Sequence, residues 1–145
     1  MRSRGITLLE LLLVLGIIAM LFAVALPRVE GGVSGTDLKA AARKVAAGLR
    51  EARITAVSQH AQTVLEIDLD QHSFRVSGDP REYTLPAKTD LKLYTAQQEI
   101  VNDRVGSIRF YPDGGSTGGR ITVAAGDRKY DIDVNWLTGR VDISQ

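Results

Sequence analysis

The sequence predicts an α+β protein: a long amino-terminal helix, apolar in its first half, whose second half packs against a carboxyl-terminal body of antiparallel strands. Three patterns predict it. An apolar run from Ile6 to Leu26 is broken by one carboxylate, Glu10. From Thr36 to His60 the apolar residues recur at helical spacing, and from Thr63 onward they alternate.

In chain order, residues 1–5, Met1-Arg2-Ser3-Arg4-Gly5, form a short basic leader. Residues 6–27 follow as an apolar segment closed by Pro27. At about 1.5 Å per residue such a helix can cross a hydrocarbon core of about 30 Å. Arg2 and Arg4 precede it and no acid does, so the positive-inside bias places the amino terminus in the cytoplasm and the rest across the membrane. Ala23-Val24-Ala25 fits a small-x-small site for ordinary signal cleavage, but the run is long for a signal peptide and Glu10 suits one poorly. An ionisable group in a span costs on the order of a few kcal/mol at the bilayer centre and marks a functional candidate. The bland alternative is a carboxylate snorkelling to the headgroups.

Residues 28–60 read as a linker and a second helical stretch. Glu30-Gly31-Gly32-Val33-Ser34-Gly35 is a flexible break. Thr36 is the expected N-cap, with Asp37 in the first turn. Leu38, Ala42, Val45, Leu49 and Ala56 form the stripe that faces the body, and the helix should end near Ser58 to His60. Arg43, Lys44, Arg50 and Arg53 decorate the other faces, either as a phosphate- or membrane-binding patch or, more ordinarily, as a solvated surface.

Residues 61–145 form the β body. Thr63, Leu65, Ile67 and Leu69 alternate with polar or smaller neighbours, as do Ile108 and Phe110, Ile121 and Val123, and Tyr130, Ile132, Val134 and Trp136. Turns fall at Ser77-Gly78-Asp79-Pro80, Asp113-Gly114-Gly115 and Thr138-Gly139. Leu85 to Val105 reads as one or two strands with a polar loop near Gln97 to Arg104.

Charge and composition narrow the function. Of 18 Lys and Arg, Arg2 and Arg4 lie in the leader; of 17 Asp and Glu, only Glu10 lies in the apolar run; 16 of each remain beyond Pro27. A balanced body lacks the general attraction for phosphate backbones, which argues against nucleic acid as a partner. With no cysteine, thiolate zinc sites and cysteine nucleophiles are excluded. Asp113 to Gly119 is glycine-rich but lacks the Gly-Lys-Ser/Thr ending of a phosphate loop and precedes a strand pattern, so a flexible hairpin loop is expected. Asp68-Leu69-Asp70-Gln71-His72 offers metal-ligand types that a tight turn uses equally well. His60 and His72 match no catalytic arrangement, and Asp131, Asp133 and Asp142 read as exposed acids of a sheet. No enzyme, cofactor or metal is expected.

Gly5-Ile6-Thr7-Leu8-Leu9-Glu10 and the apolar residues after it resemble the class III signal of type IV pilins and type II secretion pseudopilins. The resemblance implies that a prepilin peptidase cuts between Gly5 and Ile6 and methylates the new amine of Ile6. Cleavage would put a charged amine four residues before Glu10, one helical turn away on the same face, and near a helix start the macrodipole favours the carboxylate. The resemblance gives Glu10 the role of registering an incoming subunit, and its partner amine can belong to the same chain or the next.

A second resemblance runs from Phe110-Tyr111-Pro112-Asp113-Gly114-Gly115-Ser116-Thr117-Gly118-Gly119 to Asn135-Trp136-Leu137-Thr138-Gly139-Arg140-Val141. This part is similar to the carboxyl-terminal domain of H-type minor pseudopilins and FimT-like minor pilins. It implies a pilin-like fold with a two-sheet body. It also implies a structural minor subunit of the type II secretion pseudopilus, single-pass in the inner membrane with a periplasmic body, supporting export of folded proteins across the outer membrane. The partners implied are the prepilin peptidase, major and other minor pseudopilins, and secreted substrates. The alternative is a FimT-like minor type IV pilin serving pilus assembly or DNA uptake.

Overall fold

The structure is a computed structural model that describes residues 7–25, 32–96 and 104–145. Gly5 and Ile6, the expected cleavage pair, lie outside the described residues, as do Pro27 and most of the polar loop expected near Gln97. The chain divides at Gly31 into two units.

The first unit carries α1 (Leu8–Ala25), whose sequence is apolar on every side apart from Glu10. Its large side chains from Leu8 to Leu21 stand exposed. Among the described residues no helix is long and apolar enough to cross a membrane. The 18 residues of α1 rise about 27 Å, just short of a hydrocarbon core of about 30 Å. Of the expected span of residues 6–27, Ile6, Leu26 and Pro27 lie outside the described residues.

The second unit begins with α2 (Gly35–Gln59). Ser34, rather than Thr36, is its N-cap: the Ser34 hydroxyl accepts from the Asp37 N–H at 3.1 Å and donates to the Asp37 carboxylate at 2.7 Å. The three-residue spacing lets the Ser34 hydroxyl reach both the N–H and the carboxylate of Asp37, a contact that Thr36 cannot make with Asp37 next to it. The helix stops where His60 turns left-handed at φ 51°. Leu38, Ala42, Val45, Leu49 and Ala56 are all buried, and Ala41, Ala46, Gly48 and Ala52 widen the stripe. A Cβ at Gly48 would press on the Phe74 ring at 2.6 Å, so this glycine lets helix and sheet approach.

The strands are β1 (Thr63–Asp68), β2 (Ser73–Val76), β3 (Glu82–Thr84), β4 (Asp90–Tyr94), β5 (Val105–Phe110), β6 (Gly119–Ala125), β7 (Arg128–Val134) and β8 (Val141–Ser144). They form two four-stranded sheets, ordered β3-β2-β1-β5 and β4-β6-β7-β8, with every pairing antiparallel. Helix α2 lies against both, so the two-sheet α+β body implied by the resemblance is present. Leu65, Ile67, Phe74, Ile108 and Phe110 from the first sheet meet Ile121, Val123 and Ile132 from the second in one core under α2.

The structure departs from the sequence expectations at strand ends. Leu69 lies past the end of β1. The last alternating strand stops at Val134, and Trp136 turns outward with 66% of its surface exposed, because Asn135 starts a turn instead of continuing the ladder. β2 and β3 are additional strands, and Leu85 to Val105 holds β4 among its described residues.

Candidate functional site

The first turn of α1 is built by Thr7. Its hydroxyl accepts from the Glu10 N–H at 3.2 Å while its carbonyl accepts from the Leu11 N–H at 3.1 Å. Thr7 is therefore the N-cap and Glu10 the third helical residue, the Thr-x-x-Glu spacing of a capping box. This holds the backbone of Glu10 at the positive end of the helix dipole with its side chain in the open. The expected partner, an amine at Ile6, falls outside the described residues. Sequence reasoning weighed Glu10 and overlooked Thr7, although the capping-box spacing is readable.

The two segments that carried the second resemblance come together in the body. Around the glycine loop, the N–H groups of residues 114–118 are already used. Gly114 N–H bonds to the Tyr111 carbonyl, Gly115 N–H to the Asp113 carboxylate, Ser116 N–H to the Trp136 carbonyl and Gly118 N–H to the Ser116 hydroxyl, all at 2.8–3.0 Å. Gly114, Gly115 and Gly118 are buried. The loop is thus a packed lock, not the flexible hairpin its composition suggests. Opposite it, the Asn135 side chain accepts from the N–H groups of Leu137 and Thr138 at 3.0 Å each, and Gly139 closes the turn at φ 62°.

Arg53 of α2 joins the two. Its Nε donates to the Gly114 carbonyl at 3.2 Å and the Thr138 carbonyl at 3.0 Å. Lys44 and Arg50 likewise donate to the Thr84 and Val141 carbonyls, at 3.0 and 3.1 Å. The basic residues expected on a solvated face of α2 are in large part ties between helix and sheets. Trp136 and Leu137, each 66% exposed, flank the clamped turn, and Ile54 and Val57 are exposed on the end of α2.

The remaining candidates are structural. The Asp68 carboxylate caps its own turn, accepting from the N–H groups of Asp70 and Gln71 at 3.0 and 2.8 Å. The His72 ring nitrogens face the Asp70 and Thr89 carbonyls at 3.0 and 2.7 Å. Among the described residues no group of three or more such ligands is placed to hold a metal ion. Asp131, Asp133 and Asp142 each have their own cation: Lys129 at 3.5 Å, Arg120 at 2.6 Å and Arg140 at 3.1 Å. A hydrogen bond from Thr122, aided by Lys129, holds the Asp131 carboxyl below its usual range. In the β2–β3 loop, Asp79 pairs with Arg81 at 2.9 Å and accepts from the Tyr83 hydroxyl at 2.8 Å, while Arg81 reaches Glu51 of α2 at 3.7 Å.

Residues 41–139 match the family model described as Type II transport protein GspH, a stretch that runs from the buried stripe of α2 to the closing glycine of the clamped turn. The Type II secretion system protein H of Xanthomonas campestris pv. campestris is 36% identical over 138 residues, covering 95% of this chain and 81% of that protein. The pilin-like protein PilA1 of Thermus thermophilus is 42% identical over 67 residues, covering 46% of this chain and 42% of its own length. In fold, the chain is similar to the minor pseudopilin EpsH from the Type 2 Secretion System of Vibrio cholerae, with a TM-score of 0.59, 13% identity, and coverage of 74% of this chain and 96% of that one. It is also similar to the type IV minor pilin FimU of Pseudomonas aeruginosa, with a TM-score of 0.58, 14% identity, and coverage of 74% and 92%.

Proposed function

This chain belongs to the GspH family of type II transport proteins, and we propose that it serves as a minor structural subunit of a type II secretion pseudopilus. The family is one of structural pseudopilin subunits, not of known enzymes. Prepilin peptidase removes residues 1–5 and methylates Ile6. The apolar helix of residues 6–27 holds the subunit in the inner membrane, with its amino terminus cytoplasmic and its body periplasmic. Neighbouring pseudopilins then draw it into the filament, which supports export of folded proteins across the outer membrane.

The observation that carries this reading is α1 itself. A helix apolar all round needs lipid or other helices to cover it. Its one charge, Glu10, stands in the capping turn, where a counter-charge from an amine has direct access. Such a pair contributes register more than net stability, since desolvation offsets most of the attraction. A neighbour's new amino terminus is the partner that only a correctly stacked subunit brings to Glu10.

Mass spectrometry of the protein from cells should show loss of Met1 to Gly5 and gain of one methyl group on Ile6. A retained leader in cells with active prepilin peptidase would refute the processing step. Glu10→Ala should leave membrane insertion intact and lower crosslinking to the major subunit; unchanged crosslinking would remove Glu10 from assembly. The alternative of a FimT-like minor pilin in DNA uptake draws support from the partial match to PilA1, but the balanced charge of the body opposes it. Salt-sensitive micromolar binding of duplex DNA would favour that alternative.

A further inference from the structure

Arg50, Arg53 and Ile54 of α2 face the Thr138–Val141 segment across a solvent-open cleft of about 490 Å³. The cleft concentrates positive charge in a body that has none to spare. Arg140 has Asp142 at 3.1 Å, whereas Arg50 and Arg53 have no carboxylate partner among the described residues. Both are nonetheless held in place, Arg50 by the Val141 carbonyl and Arg53 by two carbonyls through Nε. Part of the ordering cost of binding is therefore met before a partner arrives. A guanidinium held this way offers paired N–H groups that match a carboxylate.

Part of the lining is apolar. Ile54 lines the cleft beside Arg53 and is 65% exposed. Arginine is one of the residues enriched at the centres of protein-binding surfaces. The cleft does not suit a nucleic-acid track: phosphates would leave Ile54 uncovered, and the one further cation of the lining, Arg140, is already paired with Asp142.

We infer that this cleft docks an acidic and apolar segment of another protein, with carboxylates on Arg50 and Arg53 and an aliphatic side chain on Ile54. The inference uses neither Glu10 nor the apolar helix, so it stands or falls apart from the assembly reading. Full-length protein in detergent micelles, titrated with a labelled synthetic peptide of alternating Glu and Leu, tests it by fluorescence anisotropy. Saturable binding is expected, weakened at least about tenfold by Arg50→Glu and severalfold by Ile54→Asp, with neither a Lys-Leu peptide nor duplex DNA competing. Ile54 makes no polar contact and faces solvent, so Ile54→Asp decides the matter if Arg50→Glu unfolds. Absence of binding, equal binding by folded variants, or competition by DNA overturns the inference. Self-association lost in Ile54→Asp, without peptide binding, assigns the cleft to a second copy and overturns it too.

Discussion

Arg53 concentrates the tertiary logic of the body in one side chain, because its Nε meets carbonyls from two loops that no backbone ladder serves. Removing it leaves the Gly114 and Thr138 carbonyls without that donor, so Arg53→Met should lower stability by about 1–3 kcal/mol in urea unfolding. Arg43→Met, at an exposed position of the same helix, should change it by less than about 0.5 kcal/mol. Equal effects would mean that Arg53 is not a clamp. Gly139 sharpens the same point. Its φ of 62° disfavours any side chain, and a Cβ there would run into the Gly114 carbonyl and Arg53. Gly126 has φ 59° with nothing within 4 Å. Gly126→Ala should then cost the left-handed strain alone, about 1–2 kcal/mol. Gly139→Ala should cost about 1–3 kcal/mol more from overpacking, and a matching loss at both sites would deny the overlap. Glu10 was visible in the sequence because one charge in an apolar run is a local anomaly. Arg53 was not, since its carbonyl partners lie 61 and 85 residues away and nothing near it announces them.

Elements were legible in proportion to the length of their pattern. Helix α2 and strands β1, β6 and β7 carry enough residues to display a period, whereas β2 and β3, of four and three residues, show too little alternation to stand out. Helix starts depend on a single side chain, and that is where the expectation of Thr36 gave way to Ser34. Ser34→Ala should therefore cost about 1 kcal/mol of stability, and Thr36→Ala much less. The reverse order would return the cap to Thr36. The β2–β3 loop supplies an element-scale prediction in acid. Hydrogen bonds from Arg81 and Tyr83 hold the Asp79 carboxyl well below the usual carboxylate range, the Arg81 side chain contributing most. A lowered folded-state pKa stabilises the protein above the unfolded value of about 4 and loses that contribution as pH falls through the acid range. Asp79→Asn should be less stable than the wild type at pH 7, and the gap should narrow by pH 2 to 3. A gap that stays constant across urea titrations at the two pH values would show that the pairing contributes nothing.

At the scale of the whole molecule, the two units divide the work. The buried core runs from Leu38 to Val141, and the described side chains of α1 are all exposed. The Ser34 cap needs only Asp37, and the Arg53 clamp needs only loops of the body. The cap, the clamp and the buried core all lie beyond Gly31. A fragment of residues 32–145 should accordingly be soluble and unfold in one cooperative transition, with circular dichroism that shows both helix and strand. Starting instead at Lys39 removes the cap and Leu38, which is 1% exposed, and should cost about 3–5 kcal/mol through the lost cap and the cavity together. A fragment of residues 32–145 that melts without cooperativity would show that α1 is needed to fold the body. If it folds as expected, α1 is left free for assembly. Under the assembly role proposed for α1 and Glu10, the fragment expressed in cells beside the full-length subunit should fail to enter filaments even at high level, and its incorporation would refute that role.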